Sequence, residues 1–358
     1  MFMNQISSLK SLSFYKFHNI SFDLYPGAKD CLKDLSELKL NSKISSQIFY
    51  NLSQICHNIQ SITIEFNNII SNGIKNLISV QKNLKFFGMI LDHDLTDNNN
   101  KSNLKIIIPS LIKKLPNTLI KLNLDVGSHN FPLSFIINFK FLQELQLLFN
   151  IDENYIDFKD LQYVNFPQLQ TLKIRNLYPK VNLLIKFLEI NGRNLKELYL
   201  GDFAGYSDNS LNLVIAKFCT NLRKLSTRFK YDELETLKIV FNSCQYLENI
   251  KIWCGDPFLS EKKALEAFVK YSHENISELI LYHLYNLQYE LYSKELESFF
   301  ISWTNRVSQK SFSLVIINYN NSTNSLEMND ENMKIIKKYT ELGVIKKFQV
   351  TGDSEYLY

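Results

Sequence analysis

The chain has 358 residues, 45% of them hydrophobic and 21% charged, with a formal net charge of +4 and five cysteines. That charge is mild and scattered, unlike the concentrated basic field of a nucleic-acid binder, and no apolar run reaches the ~18 residues of a membrane-spanning helix. Five irregularly spaced cysteines make no disulfide framework, and with 10 Gly and 7 Pro the chain is neither fibrous nor low in complexity.

At the N-terminus, MFMNQISSLKSL lacks the basic-then-apolar layout of a secretory signal. An intracellular, reducing location, cytoplasmic or nuclear, is therefore expected. A short pattern, apolar-x-x-apolar-x-apolar, is already running by Leu9. It returns as Leu35/Leu38/Leu40, with heads at Ile59 and Leu84, then as Leu119/Leu122/Leu124 and Leu142/Leu145/Leu147. Further on it reads Leu169, Leu195/Leu198/Leu200, Leu222/Leu225/Thr227, Leu247, Ile276 and Ile345, with Gln309 off pattern. Most steps fall in the mid-twenties. A period in that range with this spacing marks a leucine-rich repeat.

Alternation inside each unit places the second and third apolar residues on one side of a short strand and their neighbours on the other. The remainder of each unit reads as helix. SNGIKNLISV carries Ile74, Leu77 and Ile78 on one stripe. The Asp/Asn-rich stretch from Leu91 to Asn103 reads as an insertion loop. SDNSLNLVIAKFC carries Leu211, Val214, Ile215 and Phe218, and SKELESFFISW carries Leu296, Phe299, Phe300 and Trp303, both at helical spacing. Asn209 or Asp208, Ser260 and Ser293 are the expected N-caps. Asp330 is expected to cap a last helix, Gly343 to end it, and Ile345, Phe348 and Val350 to form a final strand.

These elements predict an α/β leucine-rich-repeat solenoid, a horseshoe with parallel strands on its concave face and helices on its convex face. About twelve units span 1–329, and 330–358 forms a capping helix and strand. The polar TGDSEYLY finishes that end against water. The start has no amphipathic cap ahead of Leu9, so exposed Leu12 and Phe14 call for a preceding domain or a partner to cover them.

Three cysteines share one register: Cys56, Cys219 and Cys244 each stand three residues before a head, in CHNIQSITI, CTNLRKLST and CQYLENIKI. As small, apolar side chains they read as packing at the helix-to-strand junction. This spacing resembles the cysteine-containing, ribonuclease-inhibitor-like repeats of fungal F-box/leucine-rich-repeat proteins. Those are substrate-recognition subunits of SCF-type ubiquitin ligases. The F-box itself is absent, and the repeats are degenerate, with the consensus Asn after the strand surviving clearly only at Asn67 and Asn150. The resemblance implies a substrate-binding half, with an SCF adaptor as partner only if an F-box lies upstream. The alternative is a free-standing interaction scaffold or inhibitor unrelated to ubiquitin.

Catalytic and metal signatures do not emerge. The six His residues lie at no ligand spacing from a Cys, and there is no C-x-x-C or H-E-x-x-H. Asp92-x-Asp94-x-Thr96 lacks the Gly and Glu of a calcium loop. Gly201 and Gly205 read as a turn between units. No catalytic residue, cofactor or metal is expected. Binding is expected instead on strand positions that face the concavity: Lys173, Arg175, Tyr199, Arg228, Lys251, Trp253 and Tyr282. Arg, Trp and Tyr are enriched at binding hot spots, and Arg pairs bidentately with carboxylate or phosphate. The expected partner is a protein target, acidic or phosphorylated, with neither nucleic acid nor membrane involved.

Overall fold

A computed structural model of the chain describes residues 5–14, 26–66, 71–91, 108–127, 133–149, 155–176, 179–201, 207–283, 290–306, 310–318 and 324–352. The chain divides into two compact units, Met1–Pro179 and Lys180–Tyr358. Each has the α/β build of a leucine-rich-repeat solenoid.

In the first unit, seven strands lie side by side in chain order and run parallel. They are β1 (Ser11–Phe14), β2 (Glu37–Asn41), β3 (Ser61–Phe66), β4 (Phe86–Leu91), β5 (Lys121–Gly127), β6 (Glu144–Phe149) and β7 (Thr171–Asn176). The register follows the repeat. Leu12, Leu38, Ile62, Phe87, Leu122, Leu145 and Leu172 form one cross-strand column. Leu40, Ile64, Met89, Leu124, Leu147 and Ile174 form the next. A one-residue slip would turn both columns to the other face, so burial locks the pairing. From β2 onward both columns are buried to 1% exposure or less, whereas Leu12 is half-buried and the side chain of Phe14 lies outside the described residues.

The junctions add a second lock. The carbonyl of Ser36 accepts the N–H groups of both Gln60 and Ser61, at 2.8 and 3.0 Å. Gln60, Lys85, Ile120 and Gln143 carbonyls each receive two N–H groups from the following repeat in the same way. Each junction thus satisfies backbone groups that burial would otherwise leave unpaired.

Helices α1 (Ala28–Leu32), α2 (Ser46–Ile55) and α3 (Asn72–Ser79) return the chain between the early strands. Ser45 caps α2 through its hydroxyl. Later in this unit the expected helices give way to short 3-10 turns, Leu133–Asn138 and Tyr155–Asp160. The tighter 3-10 coil covers the return path in fewer residues, consistent with the short step from Leu119 to Leu142.

The second unit repeats the plan with β8 (Glu197–Leu200), β9 (Lys224–Thr227), β10 (Asn249–Cys254), β11 (Glu278–His283), β12 (Phe312–Asn318) and β13 (Ile345–Thr351), again parallel and in chain order. Its helices are α4 (Val181–Asn191), α5 (Asn209–Phe218), α6 (Leu234–Ser243), α7 (Glu261–Tyr271), α8 (Ser293–Thr304) and α9 (Asp330–Glu341). Asp208 caps α5 by accepting from Ser210 and Leu211 N–H, and Ser260 caps α7. Two other caps sit one residue earlier than expected. Tyr292, not Ser293, precedes α8, and Asn329, not Asp330, accepts from the first N–H groups of α9. Gly343 has φ +74° and ends α9. Its left-handed conformation is one that L side chains avoid.

Core packing in this unit is aromatic beneath α7, α8 and α9. Phe268 stacks on Trp303 at 5.0 Å, Trp303 meets Phe312 at 4.6 Å, and Phe300 stacks on Tyr339 at 4.5 Å. The cysteine register is also explained. Cys56 Sγ–H points to Leu32 O at 3.4 Å, and Cys244 Sγ–H to Cys219 O at 3.5 Å. The thiol therefore serves as a small apolar plug that donates weakly to the preceding repeat. At the same register Gln81 spans the gap with its amide, donating to Cys56 O at 2.6 Å and accepting from Ile59 N–H at 2.9 Å. Asn67, Asn150, Gly205, Gln309, the insertion residues after Leu91 and the last six residues of the chain lie outside the described residues.

Candidate functional site

The residues between the two buried columns face away from the helices, on the open face of each sheet. In the first unit this face is accessible. β3, β6 and most of β7 alternate half-exposed and buried residues along their length. Lys39, Thr63, Asn123, Gln146 and Lys173 form the half-exposed middle row, with Glu65, Ile90, Leu148 and Arg175 beside it. Ile90 is 45% exposed. Charges on this face are loosely paired: Lys121 lies 3.0 Å and Lys173 3.9 Å from Glu144, and Lys39 3.2 Å from Glu37. Lys39 and Ser11 hydrogen-bond the Glu37 carboxylate and hold its pKa below the ordinary value. Asn41 and Asp125 are the exceptions in this row, both buried, with Asp125 accepting from Leu91 N–H at 3.3 Å.

The second unit is different. Arg228 and Lys251 are 3% and 1% exposed, and Trp253 and Tyr282 are fully buried. Tyr199 alone among the five predicted residues of this unit is half-exposed. The five do come together. Lys251 Nζ donates to Tyr199 Oη at 2.7 Å and lies 4.2 Å from the Tyr282 ring centre, 4.9 Å from Trp253 and 5.1 Å from Tyr199. The Arg228 guanidinium stands 4.9 Å from the same Trp253 ring, and Trp253 and Tyr282 touch at 5.1 Å. Cations held against ring faces are stabilised by the ring quadrupole, more so when desolvated.

The expectation that all seven residues line an open concave face therefore needs correction. Arg228, Lys251, Trp253 and Tyr282 form the floor of a second, smaller core. Phe258 from the turn after β10 packs there with Trp253, Ile280, Tyr282, Val315 and Ile317. That turn is pinned back to β9's end, with Leu259 N–H donating to Phe229 O and Tyr231 N–H to Pro257 O, both at 3.1 Å. Large apolar side chains on the open face of β10 to β12 are thus withdrawn from solvent. A polar cleft of about 610 Å³ opens at the starts of the strands, lined among others by Lys224, Glu248, Glu278, Lys310 and Lys346.

Sequence reasoning missed a further cluster. Glu261, the first residue of α7, His283, the last of β11, and Glu327, in the 3-10 turn Leu326–Met328, bring ligand-type atoms within 4.8 Å of one another. Glu261 is 2% exposed and His283 fully buried. No motif spacing signals this group, because its members come from three successive repeats. The five thiols are buried, and burial raises the pKa of Cys56 and Cys244 to about 12, away from reactive thiolate.

No protein-family model matches the sequence. No curated protein matches it either. Among solved structures the chain is similar to the leucine-rich repeat-containing protein LegL7 from Legionella pneumophila, with 12% identity, TM-score 0.43, 94% of this chain and 91% of that one covered. It is also similar to a chain of the yeast Rad7 and Elc1 complex, with 17% identity, TM-score 0.44, and 87% and 76% covered. A third similarity is to a chain of the mouse RP105/MD-1 complex, with 12% identity, TM-score 0.34, and 98% and 76% covered. At these levels of likeness, the fold rests on the chain's own strand order and register.

Proposed function

We propose that the chain is a non-enzymatic protein-recognition module that docks its partner on the open sheet face of the first unit. One observation carries this reading: from β2 to β7 the residues on this face, apart from the buried Asn41, Gly88 and Asp125, keep solvent exposure and mix charged, polar and aliphatic side chains. Five strand spacings of about 4.8 Å make this face about 24 Å wide and its six-residue strands about 20 Å long, the size of the central part of a standard interface of about 800 Å² per partner. Lys173 and Arg175 lie together at its β7 end, where they suit an acidic or phosphorylated segment of a target protein.

The cysteine register, with its thiols plugging the junctions, supports the finer reading that this module works as the substrate-binding half of an F-box-type subunit of an SCF ubiquitin ligase. The experiment is affinity capture from cells with the tagged full-length gene product, beside its Lys173→Glu/Arg175→Glu form. We expect a captured protein that the double variant loses, together with the SCF adaptor. Capture without adaptor would favour a free-standing scaffold or inhibitor. Equal capture by both forms would remove the β7 end from the docking face.

A further inference from the structure

From the Glu261–His283–Glu327 cluster, we infer that the second unit binds one divalent transition-metal ion, of the zinc class, as a structural staple across three repeats. The first argument is the histidine's protonation pattern. Ser325 Oγ–H donates to a Glu327 carboxylate oxygen, so the 2.9 Å contact between Ser325 Oγ and His283 Nδ1 is donated by the ring. This network assigns the proton to Nδ1 and leaves the lone pair on Nε2. Such a second bond is what fixes the tautomer of a metal-ligating histidine.

The second argument is where that lone pair lies. His283 Nε2 is 3.1 Å from Glu261 Oε1, yet among the described residues neither Nε2 nor the other Glu261 oxygen has a hydrogen-bond partner. Two acceptors at this separation repel unless a cation joins them. A proton on Nε2 would not serve, because the contact lacks hydrogen-bond alignment. Two ligands that each bind one tetrahedral ion at about 2.0–2.2 Å lie ~3.3–3.6 Å apart without pointing at each other, a little wider than the 3.1 Å separation here.

The third argument is charge. The remaining contacts of the carboxylates are neutral donors: Leu326 N–H to Glu261 at 3.2 Å and Asn318 Nδ2 to Glu327 at 2.8 Å. No Lys or Arg among the described residues pairs with either of them. A buried carboxylate such as Glu261 with no Lys or Arg partner is strongly unfavourable, and a dication balances it together with the half-buried Glu327. The donor set, one imidazole nitrogen with carboxylate oxygens, suits Zn²⁺. A bound ion would tie the start of α7, the end of β11 and the turn after β12 together beside the aromatic core of Trp253 and Tyr282.

The test uses the full chain, stripped of metal by chelator and dialysis, then titrated with Zn²⁺ by calorimetry and with Co²⁺ by absorption. We expect one equivalent to bind, with a rise in Tm that saturates at 1:1 and weak visible Co²⁺ bands of a nitrogen–oxygen set. Glu327→Gln, at the half-buried edge where folding is least at risk, weakens binding by more than about 100-fold, and Ser325→Ala by about 10–100-fold. Absence of saturable binding in the folded chain overturns the inference. So does an intense thiolate-to-cobalt band, which would place the ion on a cysteine, or unchanged affinity in Glu327→Gln.

Discussion

Arg175 and Arg228 occupy the same row of the repeat, yet reversing their charge is predicted to have opposite consequences. Arg228 is 3% exposed and holds its guanidinium 4.9 Å from the centre of the Trp253 ring, itself fully buried. Glutamate there loses a desolvated cation–π contact worth about 2 kcal/mol. It also sets a carboxylate against the ring's negative face, with a buried-charge cost of about 3–5 kcal/mol. For a unit of this size, a urea m-value of about 2–3 kcal/mol/M converts the sum to a midpoint lowered by roughly 2 M. Arg175 is half-buried at the edge of the accessible face, so Arg175→Glu should stay within about 0.5 kcal/mol. Urea titration followed by far-UV circular dichroism reads both units. Both tryptophans, Trp253 and Trp303, lie in the second unit, so their fluorescence reports Arg228→Glu alone. An Arg228→Glu chain with native midpoint and native tryptophan emission would refute the packed placement of this cluster.

Two further outcomes follow from the junction layer. A Cβ on Gly192 would stand 2.8 Å from Cys219 Sγ and 3.1 Å from Phe218 O. Gly192→Ala should therefore destabilise by about 1–3 kcal/mol through overpacking, with partial recovery when Cys219→Ala is added; a more stable Gly192→Ala in thermal unfolding would contradict the contact. Burial raises the Cys56 and Cys244 thiols from 9.0 to about 12. Raised folded-state values mean that their contribution to stability is complete below pH 9 and is lost as pH climbs toward 12. The urea midpoint should fall over that window, and the Cys56→Ala/Cys244→Ala chain should show a shallower fall. Parallel curves would show that these thiols are not the groups responsible.

Much of the fold was legible because burial on a strand has a period of two and the repeat returns in the mid-twenties. The columns through Leu38 and Leu40, the caps at Asp208 and Ser260, and the turn at Gly343 all follow from such local rules. The caps at Tyr292 and Asn329 miss by one residue, since neighbouring polar side chains compete for the same backbone donors. The two 3-10 returns were not legible, because apolar spacing in a short stretch does not distinguish one coil from the other.

The candidate face was legible only in part. Alternation says which strand residues turn from the helices; it says nothing of what covers them. Phe258 reaches over Trp253 and Ile280 from a turn, and the ring cluster then encloses Lys251 and Arg228. Tertiary structure alone decides that Lys173 and Arg175 keep access to solvent while those two cations do not. The same holds for Glu261, His283 and Glu327, which come from different repeats and meet only when their backbones stack. Local periodicity determined the repeat and its buried columns, because those depend on neighbours in sequence. Packing of one repeat on the next decided exposure, charge pairing and the metal-type cluster, because those depend on neighbours in space.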